Sequence, residues 1–76
     1  MKRHPLSAAF PDMQEDEFAS LVADIKANGL REQGWTYEGM ILDGWHRSRA
    51  CELAGVSFRY AEYKGSDPVG FVRSRN

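Results

Sequence analysis

The sequence holds one cysteine, Cys51, so no internal disulfide can form. That usage fits a reducing compartment better than a secreted scaffold. No apolar run approaches the ~18 residues that a membrane span needs. Met1-Lys2-Arg3 is not followed by the apolar core of a signal peptide. These absences predict a cytoplasmic protein with no membrane partner. Repeats and low-complexity segments are also missing. So is a charge excess: ten basic and eleven acidic residues leave −1, which argues against a generic nucleic-acid coat. The charge is uneven, however. Residues 1–42 carry four basic and seven acidic groups, and residues 43–76 six basic and four acidic. Seventy-six residues make one small domain, which buries about 60% of its unfolded surface and is marginally stable.

What is present reads as alternating helices and strands. Arg3-His4-Pro5-Leu6 is expected to be extended, because the residue before a proline avoids the helical region. Leu6 and Phe10 are expected to pack on the core, and Phe10-Pro11 reads as a second extended or turn element. Phe18, Leu21, Val22 and Ile25 form a helical stripe within residues 12–29. Glu15, Asp16 and Glu17 crowd the start of that helix, where its dipole favours them, and Gly29 stops it. The run from Leu30 to Gly34 is a connector. Trp35-Thr36-Tyr37 and Met40-Ile41-Leu42 flank Glu38-Gly39 as a β-hairpin. A helix runs from about Gly44 to Leu53 or Ala54, with Ala50, Cys51, Leu53 and Ala54 on its buried side and Gly55 ending it. Residues 56–63 place aromatics at alternate positions, as a strand does. Asp67-Pro68 opens a further helix through Val69, Phe71 and Val72.

The stretch from Met40 to Ala50 organises the rest. It reads as a short apolar strand, a sharp turn and the first turn of a helix. Asp43 is placed to cap that helix, and Gly44 lets the chain turn tightly. A helix N-terminus offers unpaired N–H groups and partial positive charge. Arg47 adds a planar fork suited to phosphate oxygens. Gly44, His46, Arg47 and Arg49 are therefore candidate phosphate ligands. Arg49, at helical spacing from Trp45 and Glu52, has surface stacking or pairing as its other reading. Arg47 falls on the edge of the buried side, where an arginine must find an anion or bend out to water.

The run Ile41-Leu42-Asp43-Gly44-Trp45-His46-Arg47-Ser48-Arg49-Ala50 has the pattern I-L-D-G-x-H-R-x-x-A. It resembles the ParB/sulfiredoxin superfamily, and most of all the ParB-like partition and phage domains often labelled nuclease-like. The resemblance runs from His4-Pro5-Leu6 to Ser74-Arg75-Asn76. It implies an α+β domain with a mixed sheet of about four short strands and two to three helices. It also implies that residues 1–76 are one N-terminal domain of a longer chain, with a basic segment and a helix-turn-helix downstream.

Three chemistries live on this pattern. Sulfiredoxin-like members carry a nucleophilic cysteine where this chain has Trp45, and Cys51 lies about two turns further along on the buried side. Thiol chemistry is therefore not expected. Partition-type ParB proteins bind a cytidine nucleotide at a Gly-x-Arg-Arg turn and use it as a switch for clamping on DNA. Gly44 and Arg47 match that turn, with His46 in place of one arginine. By the same resemblance Gly29, Leu30 and Arg31 hold the base, although Gln33-Gly34 departs from the proline usual there. Asn76 matches the asparagine of a metal-holding Glu-Asn pair whose glutamate is here Arg75. Kinase-like members share an Asp-Gly-His-His-Arg turn, which would make Asp43 a base or magnesium ligand beside His46. Their acidic residue near the start is replaced here by Lys2-Arg3. The resemblance thus implies a nucleotide-binding switch, for CTP or ATP/ADP with Mg²⁺, in a DNA-segregation or DNA-binding regulatory protein. DNA would be bound through the downstream region, with a homodimer as the expected assembly. The alternative is a phosphoryl-transfer enzyme or nuclease with Asp43 and His46 as catalytic groups.

Overall fold

The computed structural model describes residues 1–9 and 12–75. Expectations for Phe10, Pro11 and Asn76 lie outside the described residues. The chain folds as helix α1 (Pro5–Ala8), helix α2 (Glu15–Asn28), strand β1 (Gly34–Tyr37), strand β2 (Met40–Asp43), helix α3 (Trp45–Ala54), strand β3 (Tyr60–Glu62) and helix α4 (Pro68–Arg75). This is an α+β domain with a small mixed sheet in the order β2-β1-β3. Strand β1 pairs antiparallel with β2 and parallel with β3. No helix among the described residues is long and apolar enough to cross a membrane.

The hairpin forms where residue types favour it. Glu38 and Gly39 both sit at positive φ, 54° and 74°, as a two-residue turn matched to strand twist requires. The expected fourth strand is reduced to one bridge, Arg3 to Ile41 on the outer edge of β2. Its backbone bonds are His4 N–H to the Ile41 carbonyl, 2.9 Å, and Ile41 N–H to the Lys2 carbonyl, 2.8 Å. Extension ends there because Pro5 enters a helix at its first position, where its missing N–H costs nothing. Four helices thus stand among the described residues, one more than expected, the extra one being the single turn of α1.

His4 fixes this corner. The residue is 5% exposed. Nδ1 accepts the Leu6 N–H at 3.1 Å, capping α1, and Nε2 lies 2.7 Å from Glu38 Oε1. A ring accepting at Nδ1 carries its proton on Nε2, so it donates to Glu38. One side chain therefore ties the N-terminus to the hairpin turn.

Helices α2 and α3 pack against each other through the expected stripe. Ile25, Leu30, Ala50 and Cys51 are buried together, with Phe18, Leu21, Val22, Ala54, Val56 and Phe58 around them. Helix α2 begins at Glu15 rather than Asp12, and its exposed acidic first turn faces water. Two expectations fail here. Leu53 is 67% exposed, because its position turns away from the face that carries Ala50, Cys51 and Ala54. The strand expected over residues 56–63 is confined to Tyr60–Glu62. Residues 56–59 instead cross from α3 to the sheet, with Phe58 packed inward and the Arg59 guanidinium bound to the Leu30 carbonyl at 2.5 Å. On the other side, α4 lies against α1 and β2. Phe71 meets the Trp35 and Tyr63 rings at 5.6 and 4.6 Å, and Val72 is buried.

Candidate functional site

Strand β2 ends at the junction on which the sequence centres. Its register carries Asp43 to the sheet's end with the side chain only 9% exposed. Gly44 then turns the chain at φ 96° and serves as N-cap of α3. A side chain at this left-handed φ is strained. It would also meet the Gly34 Cα at 3.1 Å. Gly34 is equally constrained: a Cβ there would run into the Phe58 ring and the Asp43 carbonyl. The two glycines let β1 and the β2–α3 turn pass in contact. That contact accounts for the glycine after Gln33.

Asp43 does not cap the helix; no side-chain cap bond forms at its start. Its Oδ2 instead accepts from two guanidiniums, Arg47 Nη2 at 3.1 Å and Arg75 Nε at 3.0 Å. Arg47 Nη2 also reaches the Gln33 carbonyl at 3.2 Å. Glu32 spans the same two arginines from outside, with Oε1 3.1 Å from Arg75 Nη2 and Oε2 3.9 Å from Arg47 Nη1. Arg47 Nε is buried without a hydrogen-bond partner among the described residues. The arginine on the buried edge of α3 thus finds its anion inside the protein.

His46 occupies the other flank. Its Nε2 accepts the Met13 N–H at 3.3 Å and stands 3.6 Å from Asp12 Oδ1. Burial lowers its pKa below the ordinary imidazole value, the Arg3 charge adds to that, and Asp12 opposes it. A neutral ring accepting at Nε2 holds its proton on Nδ1. Arg3 bonds Asp12 at 2.7 Å, and this bond, with the Arg3 charge, holds the Asp12 carboxyl below its usual range. The Arg3 guanidinium also lies 5.8 Å from the Trp45 ring.

These groups wall an open cleft of about 600 Å³ between the start of α2, the α2–β1 loop and the β2–α3 turn. Asp43, Gly44, His46, Arg47, Leu30 and Arg31 all line it. Gly29 and Arg49 stand outside the lining: Gly29 is the C-cap of α2, and the Arg49 guanidinium lies 6.0 Å from the Trp45 ring. Leu30 is buried, and Arg31 pairs with Asp24 at 3.2 Å. The residues that sequence reasoning missed are Glu32 and Arg75. They join the site over sequence separations of 43 residues from each other and 32 from Arg75 to Asp43, which no local pattern reveals.

Four arginines and five carboxylates line the cleft. Each arginine has a carboxylate within 4 Å. The pairs are unequal in depth. Asp43 is nearly enclosed, whereas the Glu32 and Asp12 side chains are 65% and 75% exposed. Exposed pairs of this kind hold weakly. An incoming anion can replace an exposed carboxylate while Asp43 stays behind the guanidiniums. No group of three metal-ligating side chains converges among the described residues. Cys51 is buried, which raises its thiol pKa and keeps it unreactive. Comparisons with protein-family models, curated proteins and solved structures find no match.

Proposed function

We propose that this chain is a nucleotide-binding switch domain whose cleft receives the phosphates of a nucleoside triphosphate, CTP by its resemblance to partition-type ParB proteins. The observation that supports this most is the junction itself. A buried carboxylate, a left-handed glycine and the first turn of α3 present Arg47 to an open cleft, where among the described residues its Nη1 faces only the exposed Glu32 carboxylate at 3.9 Å. Charge-assisted bonds from guanidinium to phosphate are among the strongest polar contacts. His46 is neutral with its Nε2 taken by the Met13 N–H, so it has its Nδ1–H to donate rather than a charge. Mg²⁺ would arrive with the nucleotide, since the described residues supply no three-ligand site of their own. In this reading DNA contacts and a clamping dimer belong to a region downstream, and nucleotide occupancy at the β2–α3 turn sets whether they engage.

Titration calorimetry with CTP, ATP and ADP, each with Mg²⁺, tests it. Binding is expected with at least one. Arg47→Ala should weaken that binding by ~1.5–3 kcal/mol, the size of a charged hydrogen bond, with circular dichroism confirming that the variant is folded. No heat from any of the three nucleotides defeats the proposal. A turnover assay on the same samples tests the rival, a phosphoryl-transfer enzyme or nuclease. Its catalytic Asp43 would have to act while bound to two guanidiniums, and turnover that survives Asp43→Asn removes Asp43 from the chemistry.

A further inference from the structure

Two guanidiniums and one enclosed carboxylate leave one positive charge in excess at the junction of β2, α3 and α4. Glu32 cancels it from the solvent side. One of its oxygens faces Arg75 and the other Arg47, so the carboxylate bridges the two arginines as a bound oxyanion would. Among the described residues no other hydrogen bond or ion pair anchors it, and its side chain is 65% exposed. Arg75 is held more firmly, since its Nε is fixed on Asp43 at 3.0 Å and its head group lies 5.9 Å from the Phe71 ring.

We infer that Arg47 and Arg75 together form the phosphate subsite of this cleft, and that Glu32 is an internal competitor occupying it until a phosphate displaces it. The inference rests on the reading that the cleft takes phosphates, and it adds Arg75 as a ligand and Glu32 as an antagonist. A phosphate dianion has more charge and more acceptor oxygens than a carboxylate. It can bridge the same two guanidiniums through Arg47 Nη1 and Arg75 Nη2, the two nitrogens that face Glu32. Asp43 orients both arginines from behind and remains in place. Free Glu32 then swings into water, where it was mostly solvated already. The competitor lowers affinity for every anion by the same factor, so a ligand with a polyphosphate's charge holds the site where a singly charged anion does not.

The test uses the opposite signs expected at the two positions. Wild type, Glu32→Gln, Glu32→Ala, Arg75→Gln and Arg47→Ala are titrated calorimetrically with MgCTP, MgATP, MgADP and sodium pyrophosphate. Thermal melts confirm folding. Both Glu32 variants should bind about three- to fivefold more tightly than wild type, the factor expected when an exposed ion pair no longer has to be broken. Arg75→Gln should bind about tenfold more weakly, as loss of a charged hydrogen bond implies. If wild type binds a nucleotide but the Glu32 variants bind no tighter, or Arg75→Gln binds as wild type does, the inference is overturned and the nucleotide reading survives. If the Glu32 variants gain affinity for pyrophosphate while no nucleotide binds, the subsite stands and the nucleotide reading falls. Silence from every probe with every variant overturns both.

Discussion

His46 is the residue whose protonation couples the site to pH. Burial and the nearby Arg3 charge depress its pKa below the unfolded value near 6.5. In the interval between the two values the unfolded chain binds more protons than the folded one. Stability therefore rises with pH across that interval. The contribution is complete above 6.5, shrinks as pH falls below it, and is gone below the depressed folded value. Urea unfolding at pH 5 and pH 7.5 measures the difference. His46→Gln, which does not titrate, should narrow the gap relative to wild type. An unchanged gap would mean that the imidazole is not desolvated as the Met13 and Asp12 contacts require. Asp12 acts in the same direction but lower down, since Arg3 holds its folded value under the ordinary 3.8, so the two groups separate by pH. His46 was legible in the sequence as a member of the turn. Its partner Met13 was not, because that contact spans 33 residues.

At the level of elements, what the sequence makes legible is what neighbouring residues decide. The apolar spacing of α2, the Glu38-Gly39 turn, the start of α3 near Gly44 and its stop at Gly55 follow from side-chain period and from positions that need positive φ. The misjudged elements depend on distant partners. The N-terminal segment pairs for one bridge with β2 before Pro5 bends it into α1. Residues 56–59 alternate as a strand would, yet Phe58 is drawn in against Gly34 and Gly44. Asp43 is a good capping residue by type, but two guanidiniums reach it first. The β2–α3 junction shows how both kinds of constraint meet. Gly44 is demanded locally by φ 96° and at long range by Gly34. Gly44→Ala should cost about 1–3 kcal/mol, the range for a non-glycine residue held in a sparsely populated region. Urea denaturation measures it, and a loss near zero would mean that the turn relaxes to negative φ. The same variant should weaken nucleotide binding, since Arg47 Nη2 lies 3.2 Å from the position of the added Cβ.

Across the whole molecule, the cleft is where separate parts of a small fold meet. The N-terminal segment contributes Arg3, the start of α2 lies beside His46, the α2–β1 loop brings Glu32, and α4 supplies Arg75 from the chain's far end. A ligand bound there as proposed would bridge these segments across the cleft, adding to the apolar packing of α2 on α3 and of α4 on β2. Ligand binding to the folded state alone adds stability by mass action, ~2.7 kcal/mol at one hundred times the dissociation constant. Domains of this length gain about 4–8 °C in melting temperature per kcal/mol. The nucleotide that binds should therefore raise the melting temperature by roughly ten degrees or more at that saturation. Nucleotides that do not bind should leave it unchanged. In Arg47→Ala the shift at the same nucleotide concentration should fall to about half or less, because binding weaker by ~1.5–3 kcal/mol lowers the saturation. Differential scanning fluorimetry with CTP, ATP and ADP reads all of this from one protein sample. A nucleotide that binds by calorimetry but moves the melting temperature equally in wild type and Arg47→Ala would place its site away from the β2–α3 turn.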